Sequence, residues 1–244
     1  MARRTLLLLG ASGADDSAAT APPLARDKEN EWHGYYAYYR SEAKREGVAP
    51  VAVLDAQWAD GRTTAELVRP YLSPDATVLE IACGLGRVSR FVAPHCGQLH
   101  CSDILEDALV EAQATLQTFD NVSFHKTNGY DLREFGDDAF DCVYSFTAFF
   151  HFDFDLVVHY FAEIRRVLKP GGVAILEFKR WKTEQDVSDL IEKIAAEGGI
   201  QRYESVRDKW RYVSPDMLAV LCEHYDLEVL VDDVTRYTTR KRGR

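Results

Sequence analysis

Cysteine is sparse in this 244-residue chain and follows no pattern. Cys83, Cys96, Cys101, Cys142 and Cys222 are odd in number and include no C-x-x-C pair, so neither a disulfide framework nor a zinc knuckle is expected. Such usage fits a reducing cytoplasm. Long apolar runs are absent as well: no stretch approaches the ~20 apolar residues that span a bilayer, and no membrane contact is expected. Arg3 and Arg4 precede an apolar run that covers only Leu6–Leu9, short of the ~7–15 residues of an export signal. Positive charge is the third shortage. Against 39 Asp and Glu stand 29 Lys and Arg, a formal net charge of -10 with a pI of about 5.2. A surface of that sign repels RNA and DNA overall, so no nucleic-acid partner is expected. What is present is an ordinary composition, 46% hydrophobic and 28% charged, on a chain long enough to bury a full core.

Residues 1–27 read as a flexible tail, because 10–26 are rich in Ala, Ser, Asp and Pro without periodicity. Residues 28–244 read as one domain. Its first part, 28–73, holds helices: Trp32, Tyr35, Tyr36, Tyr39 and Ala43 fall at i, i+3, i+4, i+7 and i+11, and a second helix is expected over Thr63–Leu72. From 76 to 178 strands and helices alternate. Strands are expected at Thr77–Ala82, Gln98–Ser102, Val122–His125, Phe140–Phe146 and Val173–Phe178, with helices from Arg87, over Leu105–Phe119 and over Leu156–Leu168. Such alternation implies right-handed crossovers and a parallel sheet covered on both faces. Lys169–Gly172 reads as a turn. After 179, helices are expected at about 184–197 and Pro215–Tyr225, with Gly198 and Gly199 closing the first. Leu227–Val231 and an edge strand over Val234–Arg240 end the chain.

The segment that carries chemistry is Val78-Leu-Glu-Ile-Ala-Cys-Gly-Leu-Gly-Arg87. It sets a carboxylate at a strand end, then a glycine turn, then a helix start, which is where open parallel sheets bind ligands. A dinucleotide fingerprint fails, because Ser89 stands where its third glycine belongs, and no P-loop lysine is present. Glu80 would repel a pyrophosphate and favour a cationic ligand. Asp103, at the end of the second strand, can accept both hydroxyls of a ribose; a helix N-cap is its plain alternative.

Glu80, Gly84, Gly86, Asp103, the Asn128–Leu132 segment, Phe140-Asp141 and the Leu-Lys-Pro-Gly-Gly turn ending at Gly172 together resemble the class I S-adenosylmethionine-dependent methyltransferases. The resemblance covers roughly residues 76–178. It implies a Rossmann-like, doubly wound sheet of seven mostly parallel strands, with an antiparallel C-terminal strand and N-terminal lid helices. It also implies S-adenosyl-L-methionine as cofactor. Glu80 would then hold the methionine end, and the backbone of Ala82, Cys83, Gly84 and Gly86 would run beside the ligand. Asp103 would bind the ribose, Ile104 would pack on the adenine, and Asn128 and Gly129 would meet its edge. Ser145 and Phe146 would lie near the methionine moiety. Ala82 replaces a glycine frequent in the family, so an ordinary φ is expected there. The amide oxygen of Asn128, where an acidic residue is frequent, would accept from the adenine amino group.

His151, just past the fourth strand, is the candidate general base, against a packing or capping role. With His151, Asp153 and Asp155 could suggest a divalent metal, but Asp153 or Asp155 is well placed as the N-cap of the following helix, and no metal is expected. The aromatic face Tyr35, Tyr36 and Tyr39 reads either as core or as one wall of an acceptor pocket, with Trp181, Tyr203, Trp210 and Tyr212 supplying the other. Arg236, Arg240, Lys241, Arg242 and Arg244 read as a solvated basic end. The expected activity is methyl transfer to an oxygen, nitrogen or carbon of a small molecule, of the kind found in secondary metabolism. The alternatives are a protein or RNA methyltransferase and a non-catalytic S-adenosylmethionine-binding module.

Overall fold

The computed structural model describes residues 23–58, 60–180, 184–196, 198–199, 211–232 and 236–243. Trp181, Tyr203 and Trp210 lie outside them, as do residues 1–22.

The described chain opens with α1 (Pro23–Glu46), which starts inside the stretch read as a tail. It packs on α2 (Pro50–Trp58), an element the sequence pattern does not announce. Its segment Pro-Val-Ala-Val-Leu-Asp-Ala-Gln-Trp is short and apolar on most sides, so periodicity has little to read. Both helices begin with proline, whose fixed φ and missing N–H suit a first turn. Tyr39 and Ala43 of α1 are buried against Val51, Val53 and Leu54 of α2 and against Leu85. A short α3 (Arg62–Val68) then leads to the sheet.

The sheet has seven strands in the order β3-β2-β1-β4-β5-β9-β8. They are β1 (Thr77–Ile81), β2 (Gln98–Asp103), β3 (Val122–Lys126), β4 (Phe140–Ser145), β5 (Leu168–Glu177), β8 (Leu227–Asp232) and β9 (Arg236–Lys241). The first five are parallel, and only β9 runs against its neighbours β5 and β8. A separate two-residue pair joins β6 (Lys179–Arg180) to β7 (Tyr212–Val213). The crossover helices α4 (Ser89–Val92) and α5 (Glu106–Leu116) cover one face, while α6 (Phe154–Val167) and α8 (Pro215–His224) cover the other. Alternation along β1 sorts its side chains: Val78 joins the core under α4 and α5, Leu79 and Ile81 the core under α6. The exposed α7 (Glu184–Ala196) ends as expected at Gly198 and Gly199, whose φ values are 82° and 107°.

Three expectations about this frame are corrected. Lys169–Gly172 is not a free turn but a bulge within β5: Leu168 pairs with Phe140 and Val173 with Cys142, so five steps on one strand match two on the other. β9 is not an edge strand, because β8 takes that place. Nor is the basic C-terminal run solvated throughout: Arg240 and Arg242 are exposed, but Lys241 is not. Lys241 is 6% exposed, and its Nζ donates to Asp138 Oδ1 and, at 2.7 Å, to the Leu168 carbonyl.

The strand order reverses between β1 and β4. In a doubly wound sheet the crevice at that reversal, above the carboxyl ends of the strands, is where a ligand sits.

Candidate functional site

A cavity of about 520 Å³ occupies that crevice. Two backbone outliers frame it. Ala82, just past β1, has φ 59°, and Thr147, just past β4, has φ 58°. The ordinary φ expected of Ala82 is therefore overturned: the chain takes the left-handed turn that the family's glycine would take, at a cost of ~1–2 kcal/mol for a residue with a Cβ. Strain of this kind persists where surrounding structure fixes it. Thr147 is held by its N–H, which donates to Glu177 Oε2 at 2.7 Å.

Glu80 is 3% exposed at the floor of the cavity. Ser89 and Tyr144 both donate to its Oε2, Tyr144 at 2.8 Å. Ser89, the residue that breaks the dinucleotide fingerprint, thus positions the carboxylate that marks the motif. Burial pushes the Glu80 carboxyl up to about 7, against the lowering effect of those two donors and of Arg87. Asp103 is oriented by two backbone donors, Gly84 N to Oδ2 and Leu105 N to Oδ1, each at 3.0 Å. It does not cap α5, whose N-cap residue is Leu105. Burial raises Asp103 to about 6.

The glycine loop carries φ 55° at Gly84 and 76° at Gly86. A Cβ on Gly84 would lie 2.8 Å from the Tyr36 hydroxyl, so α1 reaches down to the loop and only glycine leaves room. Burial first, and then the charge of Asp103, push the Tyr36 phenol well above its ordinary range.

Of the residues singled out in the sequence, Glu80, Ala82, Cys83, Gly84, Asp103, Ile104, Asn128, Gly129, Phe146, His151, Tyr35 and Tyr36 line this one cavity. Four described ones do not, among them Tyr212, which pairs in β7 with Lys179. Gly86 backs onto Leu116 of α5. Ser145 is fully buried and donates to the Ile81 carbonyl at 2.8 Å, tying β4 to β1. Tyr39 is 1% exposed, with its hydroxyl donating to Gln57 Oε1 at 2.7 Å. The amide oxygen of Asn128 accepts from Tyr130 N at 2.8 Å and Asp131 N at 3.1 Å, so the side chain closes its own turn. Asp153 sits at the N-cap position of α6, but its Oδ1 accepts from Arg211 Nε at 2.7 Å. Among the described residues no group of three His, Cys, Asp or Glu could hold a metal ion. His151 meets Trp32 of α1 edge-on, with ring centroids 5.0 Å apart.

Sequence reasoning missed Trp58, Arg87, Tyr160, Lys179, Arg211 and Arg236, which also line the cavity. Only Arg87, adjoining the glycine loop, had a motif to signal it.

The donor set fits S-adenosylmethionine. Two carboxylates face a ligand that carries an ammonium, a sulfonium and a ribose diol, and a glycine backbone admits it closely. Residues 78–172 match the sequence model of the family described as a methyltransferase domain. Among curated proteins none matches the chain. Solved structures share the fold. A Methanosarcina mazei S-adenosylmethionine-dependent methyltransferase is 18% identical over 73% of this chain and 98% of its own, with a TM-score of 0.56. A Haloferax volcanii protein solved in complex with the Trm112 methyltransferase activator is 18% identical over 88% and 98%, with a TM-score of 0.62. Geranyl diphosphate C-methyltransferase of Streptomyces coelicolor, solved with S-adenosyl-L-homocysteine, is 14% identical over 73% and 78%, with a TM-score of 0.54. Residues 78–172 thus carry a methyltransferase domain, on the fold that these structures share. A methyltransferase domain over residues 78–172, together with this donor set, supports S-adenosylmethionine as cofactor and methyl transfer as the activity.

Proposed function

We propose that the chain methylates an oxygen, nitrogen or carbon atom of a small molecule. The observation that carries this reading is the position of α1: Tyr36 lies against Gly84 while Trp32 lies against His151, so one helix roofs both the glycine loop and the end of β4. A roofed cavity of about 520 Å³ suits a small acceptor better than a folded macromolecule.

S-adenosylmethionine supplies the activated methyl group. Glu80, through the carboxylate oxygen not engaged by Ser89 and Tyr144, holds the ammonium end. Asp103 holds the ribose diol, already aligned by Gly84 N and Leu105 N. The adenine edge falls to the backbone at Asn128 and Gly129, since the Asn128 amide oxygen already takes two N–H donors. Trp32, Tyr35 and Tyr36 exclude water above the reacting atoms. His151 accepts the proton of a protic acceptor at a ring nitrogen. Most of the acceleration comes from orientation, with the base contributing ~10²–10⁴-fold.

The test is S-adenosylhomocysteine production with a library of small molecules, using wild type, Asp103→Ala and His151→Ala. Asp103→Ala should weaken cofactor binding by ~2–4 kcal/mol, two charge-assisted bonds. His151→Ala should cut turnover with cofactor affinity intact. Methyl incorporation into protein or RNA, with none into any small molecule, would overturn the reading.

A further inference from the structure

The charges lining the cavity are segregated. On the cofactor side, Glu29, Glu80 and Asp103 stand with one cation, Arg87. On the far side, past β4, Lys179, Arg211 and Arg236 stand with one carboxylate, Glu177. With the ion-pair partners Lys126 of Glu29 and Asp153 of Arg211 counted, formal charge runs from -1 at one end (three carboxylates, two cations) to +1 at the other (three cations, two carboxylates), inside a chain whose own net charge is -10.

The three cations come from separate segments. Lys179 lies in β6, and Arg211 directly precedes β7, its pairing partner. Arg236 starts β9 and is paired with Glu177. Because β9 runs antiparallel, its first residue arrives at the carboxyl edge of the sheet, beside the end of β5. No basic run in the sequence accounts for this convergence; the topology does. The cations are also held in place. Arg211 donates from Nε to Asp153, and its N–H donates to the Phe150 carbonyl at 2.6 Å. Lys179 Nζ lies 5.3 Å from the centroid of the Phe150 ring. Glu177, which lines the cavity beside them, already accepts from Thr147 N.

We propose that the methyl acceptor is an anion, carrying a carboxylate or phosphate group that docks among Lys179, Arg211 and Arg236, with an apolar body against Phe150 and Trp32. This rests on the small-molecule reading above. The cofactor half presents the opposite sign to its cationic ligand, so the two ligands are sorted by charge as well as by shape. The anionic group anchors the acceptor away from the site of reaction and leaves its nucleophilic atom toward the β4 end and His151.

The experiment is calorimetry on the full chain saturated with S-adenosylhomocysteine. The probes are a panel of aromatic and aliphatic carboxylic acids, their primary amides and the corresponding phosphate monoesters. Saturation itself tests the cofactor reading, so a chain that binds S-adenosylhomocysteine but shows no charge preference refutes this inference alone. At least one acid or phosphate ester should bind ~10–100-fold more tightly than its neutral partner, as charge-assisted contacts predict. That preference should shrink in Lys179→Gln and in Arg236→Gln, and with added salt, while S-adenosylhomocysteine affinity stays within about twofold. Preference for acids over phosphate esters, or the reverse, identifies the anion. The inference is overturned if neutral amides bind as well as their acids, if no anion binds, or if the preference survives in both variants.

Discussion

At about pH 6.5, binding of S-adenosylmethionine should release close to one proton per molecule bound. Glu80 and Asp103 are buried without a cation of the ligand beside them, and burial holds their carboxyls at about 7 and about 6. At that pH about three quarters of Glu80 and about one quarter of Asp103 are protonated, roughly one proton in total. A cationic ligand beside Glu80, and ribose hydroxyls donating to Asp103, favour the ionised forms and expel it. At about pH 8 the same two groups carry only about a tenth of a proton, so the release from them should nearly vanish. Titration calorimetry in two buffers of different ionisation enthalpy reads the proton directly; about pH 6.5 also keeps the ligand's own ammonium charged. Glu80→Gln should reduce the release to about a quarter of a proton. The sign extends to the ligand-free protein. Carboxyls raised on folding contribute their stability below the unfolded value of 4.5 and lose it as pH rises through the folded values; for Glu80 alone the loss is about 3 kcal/mol. Zero release at about pH 6.5, or uptake, would refute the placement of the cationic ligand beside these carboxylates.

Ala82→Gly should stabilise the ligand-free protein by up to about 1 kcal/mol, the left-handed strain outweighing the glycine's added unfolded-state entropy, as seen by denaturant midpoint. The pair His100 and His125, with ring nitrogens 2.9 Å apart, should act in the opposite sense to the carboxyls. Burial lowers both, and His125 further lowers His100, so their stability is present above about 6.5 and lost as pH falls below it. His125→Asn should flatten that acid limb relative to wild type in thermal melts across pH. Lys241→Ala, which strips a donor from the Leu168 carbonyl and from Asp138, should cost ~1–3 kcal/mol by the same denaturant assay.

The core was legible because its grammar is local. β1, β4 and the Val173–Leu176 part of β5 are short, largely apolar runs, and the carboxylates that mark the site sit at or next to strand ends. What was not legible depends on partners distant in sequence. Tyr39 and Tyr36 are three residues apart on one helical face, yet one meets α2 and the other the glycine loop; the period places them on a side without saying what lies opposite. Lys241 looked like a solvated end until its strand was placed between two others. Asn128 looked free to meet a base because nothing in a one-letter string shows that two N–H groups follow within reach. Ala82 misled for a different reason: a side chain disfavours positive φ, but the local preference, ~1–2 kcal/mol, is smaller than the cost of moving the loop.

The place of β9 in the sheet bears on how the protein is made. β5 and β8 are neighbours of β9 and not of each other, so β8 has no partner, and β5 none on the side away from β4, until residues 236–241 have been synthesised. Up to that moment a nascent chain carries β5, a ten-residue strand with the apolar run Val173–Leu176, with one side unpaired. An open strand of that kind is a template for another chain. Truncation ahead of residue 236 should therefore show first as aggregation during expression, before any loss of cofactor binding can be measured. The last strand to emerge acts as the lock on the sheet, and it delivers Arg236 to the cavity in the same movement.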